Sequence, residues 1–101
     1  MTNLVIHPEV AGDIADAFAW YKKIDPELAV RWSDIVYESI EYAREAPWHH
    51  PRIHLEYRRV LCDPFPYKVI FEVLETEQAV HIVSVFHHSS DPDLWKERII
   101  D

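Results

Sequence analysis

The chain has 101 residues, of which 49% are hydrophobic, and it contains four tryptophans and a single glycine. This composition is that of a compact globular protein, and the length suits one domain over residues 1–101 with one core. Ten lysines and arginines against eighteen aspartates and glutamates give a formal net charge of −8, which argues against broad, charge-driven binding to nucleic acid.

The cellular location follows from short apolar runs and from cysteine usage. No run is long enough to cross a bilayer, and the N-terminus lacks the charged and apolar regions of a signal peptide. The one cysteine, Cys62, cannot form an internal disulfide, as is typical of proteins in a reducing compartment. We therefore expect a cytoplasmic protein without a membrane partner.

The N-terminal part predicts a strand followed by an amphipathic helix. Residues 3–7 are short and apolar, and Pro8 suits the first turn of a helix. Gly12 within this helix predicts the close approach of another element. Apolar residues recur at helical spacing, as on a face that packs against another layer: Val10, Ile14, Phe18 and Tyr21.

A second helix follows the break at residues 24–26. Asp25 is placed to cap it, with Pro26 at its first position, and Trp32 lies on its apolar stripe as a predicted core residue. Two helices joined by a short loop form an αα-hairpin. The acidic side chains of the hairpin are interpreted as a solvated surface, and they are Asp13, Asp16, Glu27, Asp34, Glu38, Glu41 and Glu45.

Three segments rich in β-branched and aromatic residues follow, at residues 53–62, 67–74 and 79–86. The turns between them are too short for parallel crossovers, so they predict an antiparallel three-stranded meander. His81 in the last segment is predicted to be a hydrogen-bonded core residue, and the edge beside this strand is predicted to be exposed.

The C-terminus and the overall architecture complete the prediction. Asp91 begins a capping pattern that predicts a short helix over residues 94–100. The expected fold is α+β with the order β-α-α-β-β-β-α, in which the helices cover one face of the sheet.

The charge is uneven along the chain. Four basic and two acidic residues lie between positions 48 and 70, which makes this region locally positive on an acidic body. Such a region favours an anionic target or an acidic peptide. Neighbouring strand residues point to opposite faces, so only one of Arg58 and Arg59 can line a given surface.

Seven histidines suggest a possible zinc site, around positions 49, 50 and 54 or around His87 and His88. Zinc ligands usually combine histidine with cysteine or a carboxylate at short, regular spacings. The sequence has no such arrangement, so we predict neither a metal nor a cofactor.

Several motifs together resemble the RelE/ParE superfamily of toxins from type II toxin–antitoxin modules, whose members are often labelled plasmid stabilisation proteins. The resemblance covers nearly the whole chain and is carried by residues 58–61 (RRVL), 64–71 (PFPYKVIF), 81–88 (HIVSVFHH), 91–92 (DP) and 95–98 (WKER). It implies the α+β fold described above and a cognate antitoxin as a partner.

The resemblance implies two alternative activities. ParE-like members poison DNA gyrase without known chemistry of their own, whereas RelE-like members cleave mRNA on the ribosome with basic residues and often a tyrosine or histidine. Many relatives carry arginine after the histidines, where this chain has Ser89 and Ser90. The motifs are nearer to the ParE-like pattern, and a non-toxic binding module is a third alternative.

Two sets of candidate residues follow. RNA cleavage needs cations for the phosphate and groups that transfer protons, for which the candidates are Arg58, Arg59, His87 and His88. The candidates for contact with a target or antitoxin are Arg52, Tyr67, Lys68, Trp95 and Arg98. Pairing with a second copy to form a homodimer is also possible.

Overall fold

A computed structural model describes residues 2–99. Its helices and strands follow one another in an order close to the predicted one. They are β1 Asn3–Ile6, α1 Val10–Ile24, α2 Pro26–Glu45, β2 Arg52–His54, β3 Tyr57–Leu61, β4 Tyr67–Leu74 and β5 Ala79–His87, with short 3₁₀ helices at Pro47–His49 and Leu94–Arg98. Within residues 2–99, no helix is both long and apolar enough to span a membrane.

The helical hairpin forms where capping and periodicity predict it. The Asp25 side chain accepts a hydrogen bond from the backbone N–H of Glu27 at 2.9 Å, and Pro26 is the first residue of α2. The apolar stripe of α2 is buried through Trp32, Val36 and Ile40. These residues pack against Val69 on one face of the sheet. Residues of α1 belong to the same buried cluster, so both helices cover that face.

The sheet has five strands in the order β1-β5-β4-β3-β2. Strands β2 to β5 pair antiparallel in sequence order, and β1 adds in parallel to β5. The α+β fold class is confirmed, with α1 and α2 on one face of the sheet, whereas the short helix Leu94–Arg98 packs through Trp95 against the other face. We call the opposite side, which points away from α1 and α2, the open face of the sheet, although a second buried cluster covers part of it, formed by Tyr57, Ile70, Val83, Phe86 and Trp95.

The first strand of the predicted meander is in fact a hairpin. Residues 53–62 were expected to form one strand, but β2 and β3 are separated at Leu55 and Glu56, and His54 pairs with Tyr57. Leu55 adopts a φ of 50°, a left-handed conformation that non-glycine residues seldom adopt. No glycine, asparagine or proline marks this turn, so the alternating pattern concealed it.

The expectation of an exposed edge beside the last strand is wrong, because β1 covers its first half and residues 83–86 of its second half are also buried. Strand β5 lies inside the sheet, between β1 and β4, and β1 pairs with it from Ala79 to Ile82. The predicted terminal helix is a 3₁₀ helix that ends at Arg98, and residue 100 lies outside the described residues.

Gly12 does not mark a close approach, because a Cβ atom built at this position would meet nothing within 4 Å. Its position inside α1 is exposed. Alanine costs less backbone entropy than glycine in a helix, so Gly12→Ala should raise the free energy of unfolding by about 0.5–1 kcal/mol. Urea denaturation followed by circular dichroism measures this change, and a destabilised variant would contradict the helical environment described for Gly12.

Candidate functional site

The two adjacent arginines have different environments. The Arg58 Nη1 atom donates a hydrogen bond to the backbone carbonyl of His50 at 2.6 Å, and its guanidinium lies 5.1 Å from the ring centroid of Trp48. Arg58 is opposite Phe71 in the ladder and shares the helix-covered face with it. Through these two contacts, Arg58 holds the loop between α2 and β2 against the sheet.

Arg59 points to the open face, opposite Ile70 of β4. Within residues 2–99 its guanidinium has no hydrogen bond or ion pair. Lys68 belongs to the same face and lies above the ring of Phe86, with its Nζ atom 5.4 Å from the ring centroid. The open face thus carries two cations that no carboxylate of the described residues neutralises.

His87, the last residue of β5, and His88, which follows it, do not contact the arginines. The ring of His87 packs edge-on against Tyr67 at 4.9 Å, and its Nδ1 atom accepts a hydrogen bond from the Ser89 backbone N–H at 2.9 Å. The His88 side chain is exposed. His87 pairs with Tyr67 in the ladder, whereas Arg58 pairs with Phe71, four residues further along β4.

This register separates the candidate catalytic groups. Four residues along a strand correspond to about 13 Å, and Arg59 lies on the other face of the sheet from His87. General acid–base catalysis requires each group within hydrogen-bond reach of the reacting atoms. Arg58, Arg59 and His87 do not converge in this way on a single position.

The predicted partner-binding residues are also spread over the molecule. Tyr67 is half-buried against Trp32, with ring centroids 5.3 Å apart, and burial raises the pKa of its hydroxyl. Trp95 is only 4% exposed and packs on Tyr57. Arg52 is exposed on the short edge strand β2, 3.4 Å from Glu56.

Arg98 forms an ion pair that sequence reasoning missed. Its guanidinium donates to both carboxylate oxygens of Asp13, at 2.6 and 2.7 Å, and the hydrogen bonds to Asp13 raise the pKa of Arg98. The Asp13 side chain is only 15% exposed, so its assignment to a solvated acidic surface was wrong. The two residues are 85 positions apart in sequence, and no local pattern could have joined them.

His81 makes the expected hydrogen bond, with its Nδ1 atom 2.9 Å from Glu72 Oε2, but its side chain is 22% exposed on the open face, so the predicted core position is wrong. The ring of His7 is next to it, at 6.1 Å between centroids. The described part of the chain contains no group of three or more histidine, cysteine, aspartate or glutamate side chains arranged to hold a metal ion.

An apolar groove of about 600 Å³ runs between α1 and α2 beside β1. The predicted helix stripes were expected only to cover the sheet, but part of each stripe remains accessible in this groove. Acidic residues follow lining residues directly in sequence, namely Asp16 after Ala15 and Glu38 after Tyr37. The lining includes Ile6, Ala11, Ile14, Ala15, Phe18 and Tyr37.

Comparison with solved structures identifies the class of fold. A chain from the structure described as "Chromosomal ParDE TA system from P. aeruginosa" superposes with a TM-score of 0.75 over 86% of this chain and 96% of that chain. The two sequences are 16% identical, so the similarity concerns the fold alone. A search of curated proteins found no significant match.

The family follows from the sequence match. The model of the ParE toxin of the type II toxin–antitoxin system, parDE, matches residues 4–92. The chain belongs to this family. The resemblance to the RelE/ParE superfamily, nearer to its ParE-like members, is therefore confirmed, and the protein is the toxin-type component of a type II toxin–antitoxin module.

Proposed function

We propose that this protein inhibits an essential target by binding it, and that DNA gyrase, the target implied by the ParE-like resemblance, is that target. The observation that carries the proposal is the separation of Arg58, Arg59 and His87 over two faces and about 13 Å of strand. Inhibition by binding needs a complementary surface and no convergent acid and base. The alternatives are a RelE-like mRNA endoribonuclease acting on the ribosome and a non-toxic binding module.

We place the target-binding surface on the open face of the sheet. Arg59 and Lys68 lie there without a carboxylate partner among the described residues, and Lys68 lies above the ring of the buried Phe86. Positive charges on an acidic protein direct an encounter toward one side of the molecule. An acidic patch of a protein target fits this surface.

We further propose that the cognate antitoxin occupies the groove between α1 and α2. The groove is apolar and large enough for several side chains, as an amphipathic helix laid into a groove requires. Asp16 and Glu38 beside it favour lysine or arginine on both sides of the apolar stripe of the bound segment. Antitoxin and target would then use different faces of the toxin.

Ala15→Arg should abolish neutralisation and leave toxicity intact, because a long cationic side chain fills the groove and repels a basic segment. The matched control is Ala19→Arg, an exposed position of the same helix outside the groove lining. Each variant is co-expressed with the cognate antitoxin, and both growth and co-purification are measured. Loss of binding in the control as well, or binding by both variants, would place the antitoxin elsewhere.

Induced expression without the antitoxin tests the proposed function itself. We expect growth arrest with DNA damage, intact mRNA and inhibition of purified gyrase in a supercoiling assay. Cleavage of translated mRNA would instead indicate the ribonuclease. Normal growth at a confirmed level of folded protein would indicate the non-toxic binding module.

A further inference from the structure

The edge of β5 is covered by a strand along only part of its length. β1 pairs with β5 from Ala79 to Ile82, and the His7 N–H adds a last hydrogen bond to the Ile82 carbonyl at 2.9 Å. Beyond Ile82, no strand of the described chain lies on that side of β5, and residues 83–86 are instead buried, with α1 and the short helix Leu94–Arg98 packed against β5. Five residues, 83–87, therefore continue the strand along an edge without a neighbouring strand.

Two side chains take the place of the missing strand. Asp13 Oδ2 accepts a hydrogen bond from the Val85 N–H at 3.0 Å, and Arg98 Nη1 donates to the Val83 carbonyl at 3.0 Å. The Asp13 carboxylate and the Arg98 guanidinium are joined to each other at 2.6 and 2.7 Å. We call this ion pair the edge guard.

Strand β5, whose edge the ion pair covers, has a sequence that is prone to pair with other strands. β5 has the sequence AVHIVSVFH and carries no aspartate, glutamate, lysine or arginine. Uncharged segments rich in β-branched and aromatic residues pair readily with other strands when an edge is free. Proteins block such edges with charged side chains or by covering them, and the edge guard does both.

We propose that the edge guard blocks a self-pairing surface, and that opening it lets a second copy of this chain join residues 83–87 edge to edge. An antiparallel pair of identical strands is self-complementary and closes as a two-fold dimer. Five residues match the usual length of a strand. A crevice of about 120 Å³ lined by residues 84–87, Asp13 and Arg98 already lies along this edge.

Arg98→Gln and Asp13→Asn test the proposal, because each removes one charge of the guard at nearly constant size. Lys96→Gln is the matched control, since Lys96 forms an exposed ion pair with Asp93, at 2.7 Å, in the same short helix. Light scattering coupled to gel filtration is run from low to high micromolar concentration. We expect the mass of both guard variants to rise about twofold with concentration while the wild type and the control keep one lower mass.

Amide exchange at Val85 distinguishes edge pairing from non-specific association. In the wild type this N–H is held by Asp13, so it should exchange slowly. In dilute Arg98→Gln it should exchange faster, and it should slow again at high concentration because the second copy accepts its hydrogen bond. A variant that associates while the Val85 N–H stays fast-exchanging would overturn the proposal.

Arg98→Lys covers the case in which the other variants lose their fold. Lysine keeps the charge beside Asp13 but cannot reach both carboxylate oxygens and the Val83 carbonyl together, so a smaller rise in mass is expected. Folded guard variants that keep the wild-type mass at every concentration would refute self-pairing. Loss of the circular-dichroism signal even in Arg98→Lys would do so too, because the pair would then hold the fold itself.

Discussion

Trp32→Ala should lower the free energy of unfolding by about 3–5 kcal/mol, a large share of the roughly 5–15 kcal/mol expected for a domain of this size. Trp32 is fully buried and packs against Tyr21 and Tyr67 at 5.9 and 5.3 Å between ring centroids. Its removal leaves a cavity between the helical hairpin and the sheet. The melting temperature should fall by at least about 12 °C.

Trp32→Phe should cost clearly less than Trp32→Ala. The indole Nε1 atom of Trp32 is buried and has no hydrogen-bond partner within residues 2–99. An unsatisfied buried donor costs about 1–3 kcal/mol, and phenylalanine removes this donor while it fills much of the same space. Removal of the unsatisfied donor therefore offsets part of the packing energy that is lost with the smaller ring.

The control for both changes is Trp20→Ala, because Trp20 lies on α1 with 62% of its surface exposed. This substitution should change the free energy of unfolding by about 0.5 kcal/mol or less. Denaturant titration monitored by far-UV circular dichroism gives all three values. Equal losses for Trp20→Ala and Trp32→Ala would refute the packing of α2 on the sheet through Trp32.

Although Arg58 and Arg59 are adjacent, Arg58→Ala should mainly lower stability, whereas Arg59→Ala should mainly weaken target binding. Arg58→Ala removes a charged hydrogen bond to the His50 carbonyl and the contact with Trp48, which together are worth about 2 kcal/mol. Its melting temperature should fall by about 8–16 °C. Any loss of toxicity would then accompany the loss of folded protein.

Arg59→Ala should instead change stability by about 0.5 kcal/mol or less and weaken target binding at least about tenfold, if the open face binds the target as proposed. Arg31→Ala on the exposed surface of α2 is the matched control for removing one positive charge. Growth inhibition, gyrase inhibition and melting temperature are measured for all three variants. Full toxicity of Arg59→Ala at normal expression would exclude Arg59 from the target surface.

Much of the fold was predictable because its signals are local. The cap of α2 at Asp25 and Pro26, the stripe through Trp32 and the segments that became β4 and β5 each lie within a few residues of one another. The family could be recognised for the same reason, because its motifs are contiguous runs. The hairpin at Leu55 escaped prediction since a non-glycine residue with positive φ leaves no mark in the hydrophobic pattern.

The candidate site was less predictable. Strand alternation showed that Arg58 and Arg59 point to opposite faces, but only the positions of the His50 carbonyl and Trp48 made Arg58 structural. His87 and Arg58 both belong to the family motifs, yet the ladder register pairs them with residues of β4 that are four positions apart.

The sequence by itself determined the class of fold, the two helices, the local positive region and the family, because these depend on residues that are neighbours along the chain. Only the tertiary structure decided that β1 pairs with β5, that a groove stays open between the helices, and that Asp13 meets Arg98. Those features join residues up to 85 positions apart. Such contacts form only when the whole core has packed, so they cannot be predicted from a local pattern of side chains.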